Sequence, residues 1–566
     1  MRPHAEGAHT IGDASTFLDR SPVFLQNLAA GYLSIMLGMA QSSQVIEAPA
    51  APAEHADERA LRDDNGRKPL ERASNAITMA FILVLIFSAT VRLYELQRPN
   101  VLVFDETYYA KDAHTVLHGY LGPNPLYSWE PGKEISWPHP EYGKFAIAVG
   151  EATFGNVSFG WRIVSAICGT LLLVLVYPLG RRFGLSPPWA LLGLILAASD
   201  FLGIVQSRIA TLDIFVALWS VLCIYLALRY VQTGHRLRWL FLCGLAGGLA
   251  LGTKWSGGFA VVSAAAIMLL YRRRSWRRPV GPLIVNSLRD VVLPAVALLV
   301  LPVAAYFASY TVYFLKGHHT LSQWWQLQHQ MWWFNENLHA THTYASKAYT
   351  WIFDYRPVWY YYVQIHNTVH GIISIGNPLL WWASVPALLG LAVLAAWRRD
   401  LELALLPLMV ALLYLPWLHA SRTSFMYYMT PVAPFMALAV AMALRELSAS
   451  RLPRPQWAVL LFAVTAAVTA LLWYQIGQAA AWLFWRDPNS VSLELARVVL
   501  LVAIGVAACG LLTLTLWPRA RLVWRYLTWV YAGAVTGVML AFLPILIDLS
   551  VSVSHFYHLM WFRNWI

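Results

Sequence analysis

The chain has 566 residues, 58% of them hydrophobic and only 12% charged, with a net charge of +12. That balance excludes an ordinary soluble globular protein. The positive excess requires no nucleic-acid partner, because it lies in short Arg- and Lys-rich loops between apolar runs, where anionic headgroups supply the counter-charge.

Residues 1–75 read as a poorly ordered cytoplasmic extension: a mildly apolar stretch at 23–40 lacks the basic flank of a signal peptide and passes into an Ala/Pro/charged linker. Apolar runs of bilayer-spanning length then recur. They are expected at 77–94, 161–180, 189–206, 211–230, 239–255, 257–271, 291–314, 378–397, 402–419, 424–445, 457–476, 496–517 and 526–548. This predicts an all-α membrane protein with about 11–13 transmembrane helices. Residues 76–450 are expected to be the catalytic module, and 451–566 a transmembrane scaffold with an external tail.

Basic clusters fix the orientation. Arg59, Arg62, Arg67, Lys68 and Arg72 precede the first run, and Arg181/Arg182, Arg229/Arg236/Arg238, Arg272–Arg274, Arg398/Arg399, Arg451/Arg454 and Arg519/Arg521/Arg525 follow others. With these spans all fall on one side, which the positive-inside rule makes cytoplasmic. Two long loops, 95–160 and 315–377, are then non-cytoplasmic. Water-facing chemistry is expected in them, since ionisable groups are costly in hydrocarbon. No nucleotide-cradling Gly-rich loop is present, which argues against an ATP-driven pump. The four cysteines, Cys168, Cys223, Cys243 and Cys509, lie in apolar runs without metal-ligand spacing, so no disulfide framework is expected.

The first long loop carries Phe104-Asp105-Glu106-Thr107-Tyr108-Tyr109, then Trp137-Pro138-His139-Pro140-Glu141-Tyr142-Gly143-Lys144, and Gly160-Trp161-Arg162 at the start of the second run. Later come Asp200, Gln206-Ser207-Arg208, Leu212-Asp213, Thr253-Lys254-Trp255-Ser256-Gly257, His342-Thr343-Tyr344-Ala345-Ser346, Trp351, Arg356-Pro357-Val358, Gly376-Asn377-Pro378, and Arg422 with Phe425, Tyr427 and Tyr428. In order and spacing, this set resembles the bacterial branch of the protein O-mannosyltransferase family, among the multi-span GT-C glycosyltransferases that use lipid-phosphate sugars. Where the family carries His-Pro-Pro-Leu-Gly-Lys, this chain has Glu141-Tyr142 in place of the central Pro-Leu, a departure that bears on acceptor preference more than on reaction type.

The resemblance implies inverting transfer of mannose from polyprenyl-phosphate-mannose to Ser/Thr hydroxyls of exported proteins, at the outer face of the cell (inner) membrane. The chemistry is also arguable from the residues. A phosphate is already a good leaving group, so one base suffices and no second carboxyl acid is needed. Asp105 is expected to take the hydroxyl proton, with Glu106 orienting Asp105 or the acceptor. Cations near a dry site stabilise the departing phosphate; the candidates are Arg162, Arg208 and Lys254, then Lys144 and Arg356. Asp200 and Asp213 are expected to pair with such cations. His139, Tyr109, His342 and Trp351 are assigned to the sugar or acceptor.

The aromatic-rich second loop, with Trp324, Trp325, Trp332, Trp333 and Trp359 through Tyr362, reads as an amphipathic helix at the membrane interface. His339 and His342 share an i, i+3 spacing, but no carboxylate ligand accompanies them, so no metal is expected there. No resident cofactor is expected either, because the lipid-phosphate sugar is a substrate. The expected partners are that carrier, a protein or lipid acceptor and the membrane. Two other readings share the lipid site: transfer of a sugar such as aminoarabinose to a lipid or glycan, and a polyprenyl-linked sugar flippase, which needs no base.

Overall fold

Eleven of the thirteen expected spans fall on helices of the computed structural model, which describes residues 69–118, 137–275, 291–337, 341–420, 422–448 and 520–566. The spans expected at 457–476 and 496–517 lie outside the described residues, as do residues 1–68. Ala73–Ile566 forms one unit of the fold, apart from Met1–Arg72.

The chain runs through α1 (Pro69–Leu93), α2 (Glu106–His118), α3 (Tyr142–Phe154), α4 (Ser158–Arg182), α5 (Pro187–Ala198), α6 (Phe201–Gln206), α7 (Asp213–Gln232), α8 (Leu237–Leu251) and α9 (Gly258–Ser275). After α10 (Leu293–Ala308) come α11 (Thr311–Leu315), α12 (Leu321–Asn337), α13 (Ala348–Trp351), β1 (Val358–Ile365) and β2 (Thr368–Ser374). The last described elements are α14 (Pro378–Arg398), α15 (Leu401–Tyr414), α16 (Ala433–Leu447), α17 (Ala520–Leu546), β3 (Val551–Ser552) and α18 (Val553–Leu559). Among the described residues, seven helices are long and apolar enough to cross a membrane.

Packing follows side-chain size. On α8, Gly244 and Gly248 stand four residues apart, and a Cβ at Gly244 would lie 2.0 Å from the Ala297 carbonyl oxygen. A Cβ at Gly248 would lie 2.5 Å from that of Ala305, so this small-residue face lets α8 press against α10. The run expected to be continuous over 189–206 is instead broken after Ala198. Asp200 there turns its carboxylate back to accept the Gly203 N–H at 3.0 Å, capping α6 and starting a new helix.

The second long loop divides into two kinds of structure. Its first half is helical as expected: α12 carries Trp325, Trp332 and Trp333 more than half exposed, as an interfacial helix would. Its second half is a β-hairpin, and the aromatic run Trp359–Tyr362 forms a strand. β1 pairs antiparallel with β2, turning at His366-Asn367, and β3 adds to β2 through Val369↔Val551. The register slips between Trp359↔Ile373 and Tyr361↔Ile372, leaving Tyr360 without a partner in the ladder. Such a bulge re-aims the extra side chain. The C-terminal tail seals the hairpin base: the Trp359 indole donates to the Trp565 carbonyl at 2.6 Å, and the Trp565 indole donates to the Asp354 carbonyl at 2.7 Å.

Candidate functional site

The turn between α1 and α2 is built around a buried guanidinium. Arg162, in the first turns of α4, donates from Nε and Nη2 to the two oxygens of Glu106 at 2.7 and 2.8 Å. Its remaining N–H groups reach the carbonyls of Leu96, Arg98, Pro99 and Val101 at 2.9–3.2 Å. Glu106 in turn accepts the backbone N–H groups of Val103 and Ala210, each at 3.0 Å. The strand of chain immediately before α2 is therefore fixed on both sides. This holds Phe104 in the left-handed region at φ 47° and presents Asp105 at the head of α2.

Phe104 serves as the floor. Its ring stacks on Tyr360 with centroids 4.4 Å apart and meets Tyr427 edge-on at 5.6 Å. The bulge in β1 aims Tyr360 here, and the Tyr360 hydroxyl accepts a 2.6 Å bond from Gln206 Nε2. Asp105 is half-buried. Burial pushes its carboxyl up to about 7, with Asp213 adding to the rise, while Lys254, a hydrogen bond from the Tyr427 hydroxyl, and Arg422 hold it down.

Charged groups from three distant segments, Asp213, Lys254 and Arg422, face this carboxyl, and Lys144 lies beyond them beside His139. Lys254, three residues past the end of α8, donates to both oxygens of Asp213 at 3.0 and 3.2 Å, and its Nζ lies 4.2 Å from the centre of the Tyr428 ring. Arg422 bonds to Asn335 Oδ1 on α12 and approaches the Tyr428 hydroxyl at 3.4 Å. On the α3 side, buried Lys144 donates to the His139 carbonyl at 3.1 Å and lies 3.8 Å from Asp112. Burial lowers the Lys144 ammonium, opposed by Asp112 and Glu141. Burial, aided by Lys254, Arg422 and Lys144, takes the His139 imidazole well below its usual range, so it is neutral at pH 7. Gly143 makes this approach feasible, since a Cβ there would lie 2.5 Å from Leu212 Cδ2 and 3.0 Å from Thr253 Cγ2.

Asp105, Tyr109, His139 and Lys254 are thus brought together. Tyr109 is buried, and the carboxylates of Asp105 and Asp213 reinforce the rise that burial imposes on its phenol. Asp213 pairs with a cation as expected. Asp200 takes its hydrogen bonds from neutral donors, the Gly203 N–H, the Trp381 indole at 2.8 Å and the Asn377 N–H at 3.3 Å, with the Arg92 guanidinium as the cation acting on it.

Several expected donor or acceptor contacts sit elsewhere. Arg162 has all five N–H groups engaged within the protein, which leaves none for a phosphate. Arg208 likewise spends its two Nη groups on the carbonyls of Val91, Arg92, Tyr94, Glu95 and Ile547, satisfying the exposed end of α1. Arg356 ties the Thr343 carbonyl to that of Asn564 in the tail. Trp351 is 1% exposed, donates its indole N–H to Ser346 and packs edge-on against Tyr428 at 5.8 Å. It supports the wall behind Lys254 and offers no face to a sugar. His342 is exposed at the rim, edge-on to Phe425 at 5.0 Å, and His339 lies outside the described residues.

Arg422, Asn335 and Tyr427 were not among the expected site residues. Arg422 and Tyr427 were legible only as pieces of the resemblance. The available signal was an Arg opening an apolar run on the same side as Asp105.

Comparisons with known proteins place the chain among characterised families. The model of the family described as dolichyl-phosphate-mannose-protein mannosyltransferase matches residues 82–318, and that of the C-terminal four-TMM region of protein-O-mannosyltransferase matches 320–485. The polyprenol-phosphate-mannose--protein mannosyltransferase of Mycolicibacterium smegmatis is 29% identical over 440 residues, 67% of this chain and 83% of that one. An undecaprenyl phosphate-alpha-4-amino-4-deoxy-L-arabinose arabinosyl transferase of Pseudomonas aeruginosa is 31% identical, but over 35% of this chain and 36% of its own. Among solved structures, the S. cerevisiae protein O-mannosyltransferase Pmt1-Pmt2 complex bound to the sugar donor shares the fold, with TM-score 0.61 and 14% identity over 93% of this chain and 96% of that one. The two family models together span most of the chain and take in Asp105, Lys254, Arg422 and Tyr427, and the chain belongs to the protein O-mannosyltransferase family.

Proposed function

We propose that the protein transfers mannose from polyprenyl-phosphate-mannose to Ser or Thr hydroxyls of exported proteins, with inversion, at the extracytoplasmic face of the inner membrane. The observation that carries this reading is the half-buried Asp105 carboxyl, pushed up to about 7 and faced by Lys254 and Arg422. A base with that affinity is half-ionised near neutrality, where proton acceptance is most effective.

In the reaction, the acceptor oxygen attacks the anomeric carbon, its proton passes to Asp105, and the bond from that carbon to the phosphate oxygen breaks with its electron pair leaving on the phosphate. Lys254 and Arg422 receive the charge that develops there. This assigns the phosphate to Arg422 in place of Arg162 and Arg208, which hold the backbone around the base. Glu106 acts as a positioning residue, through Val103 N–H and Arg162. His139 and Tyr109 line the acceptor side. The aminoarabinose reading is supported through relatives that match about a third of this chain.

The experiment is transfer of labelled mannose from polyprenyl-phosphate-mannose to a Ser/Thr-rich exported peptide by protein in liposomes, alongside an aminoarabinose carrier and a lipid acceptor. Mannosylated peptide supports the proposal. Product only with the second pair would move the assignment to lipid modification, and carrier movement that survives Asp105→Asn without any transfer would indicate a flippase.

A further inference from the structure

The first long loop holds a second cluster of chemistry-bearing side chains that the transfer reaction does not use. His114 and His118 stand four residues apart on α2, on one face of the helix, and their rings stack with centroids 4.3 Å apart. Opposite them, α3 supplies Glu151, whose side chain is 1% exposed. Its Oε1 lies 2.5 Å from His114 Nδ1, and its Oε2 is buried with no hydrogen-bond partner among the described residues. A buried anionic oxygen without a partner is unfavourable, and a bound cation removes that cost.

The imidazoles are arranged as ligands. His118 Nδ1 lies 3.2 Å from the His114 carbonyl oxygen. Donation of Nδ1–H to that oxygen fixes the tautomer and leaves Nε2 with a bare lone pair, as metal-binding histidines are held. His114 Nδ1 is contested: Asn156 Nδ2 approaches it at 3.2 Å while the Glu151 oxygen lies at 2.5 Å. The amide needs a lone pair on that nitrogen, and the carboxylate needs a proton. Asn156 is held in this orientation because its Oδ1 accepts the Trp161 indole N–H at 2.6 Å. A metal ion in place of the shared proton bridges imidazole and carboxylate, and the Asn156 N–H, which needs the same lone pair, gives way to it.

We propose that His114, His118 and Glu151 bind a divalent transition-metal ion of the zinc class and so pin α2 to α3. One ligand atom from each lies within 4.8 Å of the others. Two imidazole nitrogens and one carboxylate oxygen suit zinc, and the exposure of His118 leaves a fourth position for water. His114 is nine residues beyond Asp105, about 13 Å along the helix at ~1.5 Å per residue, which separates the ion from the transfer chemistry. Its effect is mechanical: α2 and α3 carry Asp105 and the His139–Lys144 turn at their leading ends.

The test uses the full chain in detergent, stripped with a chelator, loaded with zinc chloride, desalted and analysed for metal by mass spectrometry. Wild type is expected to retain about one zinc per chain more than His118→Ala, and His114→Ala and Glu151→Gln lose the same ion. His366→Ala, elsewhere in the chain, keeps it. Zinc raises the thermal midpoint of wild type and leaves that of His118→Ala unchanged. Because His118 is exposed, its variant folds whatever the buried Glu151→Gln does. Equal zinc content and equal zinc-induced shifts in wild type and His118→Ala overturn the proposal.

Discussion

Arg162 and Glu106 meet in a wholly buried two-point ion pair, Nε to Oε1 at 2.7 Å and Nη2 to Oε2 at 2.8 Å, joining the start of α4 to the first residue of α2. A pair of this kind contributes little net stability when intact, but removing one partner strands the other charge. Glu106→Gln is therefore expected to destabilise the protein by about 3–5 kcal/mol. The thermal midpoint falls and transfer is lost with it. Arg162→Lys should do nearly the same, because an ammonium cannot reproduce the fork or reach four carbonyls. A variant with normal stability and selectively weakened donor binding would return Arg162 to the phosphate.

Asp105→Asn keeps the shape of the turn and removes the base. Transfer is expected to fall roughly 10²- to 10⁴-fold, the usual contribution of general-base catalysis, while binding of polyprenyl-phosphate-mannose is retained. A single-turnover assay beside a donor-binding titration separates the two effects.

The pH profile should report the same group. With the Asp105 carboxyl at about 7, kcat/KM at subsaturating acceptor rises about tenfold per pH unit below neutrality and levels off above it. Tyr427→Phe removes a hydrogen bond that holds this carboxyl down, so the rising limb moves to higher pH. Stability carries the opposite sign. A carboxyl raised above its unfolded value favours the fold when protonated and costs stability as pH climbs through about 7. Asp105→Asn is therefore expected to melt higher than wild type above that pH, measured by thermal scans across a pH series.

Arg422→Ala should weaken the donor roughly tenfold to a hundredfold, the value of a charge-assisted hydrogen bond, with the fold intact. Asn335→Ala removes the partner that directs the Arg422 fork and gives a smaller loss of the same kind. Arg208→Ala, by contrast, lowers stability by exposing the carbonyls at the end of α1, and the donor affinity of the protein that remains folded is unchanged.

Much of the architecture was legible because bilayer-length apolar runs and basic loops are strong, local signals; eleven expected spans became helices. What a linear pattern does not carry is which partner a polar side chain finds. An Arg at the end of an apolar run looks alike whether it meets a phosphate, the interface or a cluster of carbonyls, and Arg162 and Arg208 took the carbonyls. Asp200 broke a run that reads as continuous, because its acceptors are filled by Trp381 and Asn377, nearly two hundred residues away. The Trp359–Tyr362 run suits an interfacial helix or a strand equally well, and pairing with β2 and the distant tail decided for the strand. Asp105 and Lys254 were legible as chemistry. Arg422 was not, since its importance comes from Asn335 and Tyr428 aiming it.

A structure determined with a non-hydrolysable polyprenyl-phosphate-mannose analogue would show where the carrier headgroup sits. Phosphate density is expected bonded to Arg422 and Lys254, with the anomeric carbon of the sugar facing Asp105 across a gap one hydroxyl wide. A headgroup seated against Arg208 or Arg356, with Asp105 out of reach of the sugar, would contradict this placement.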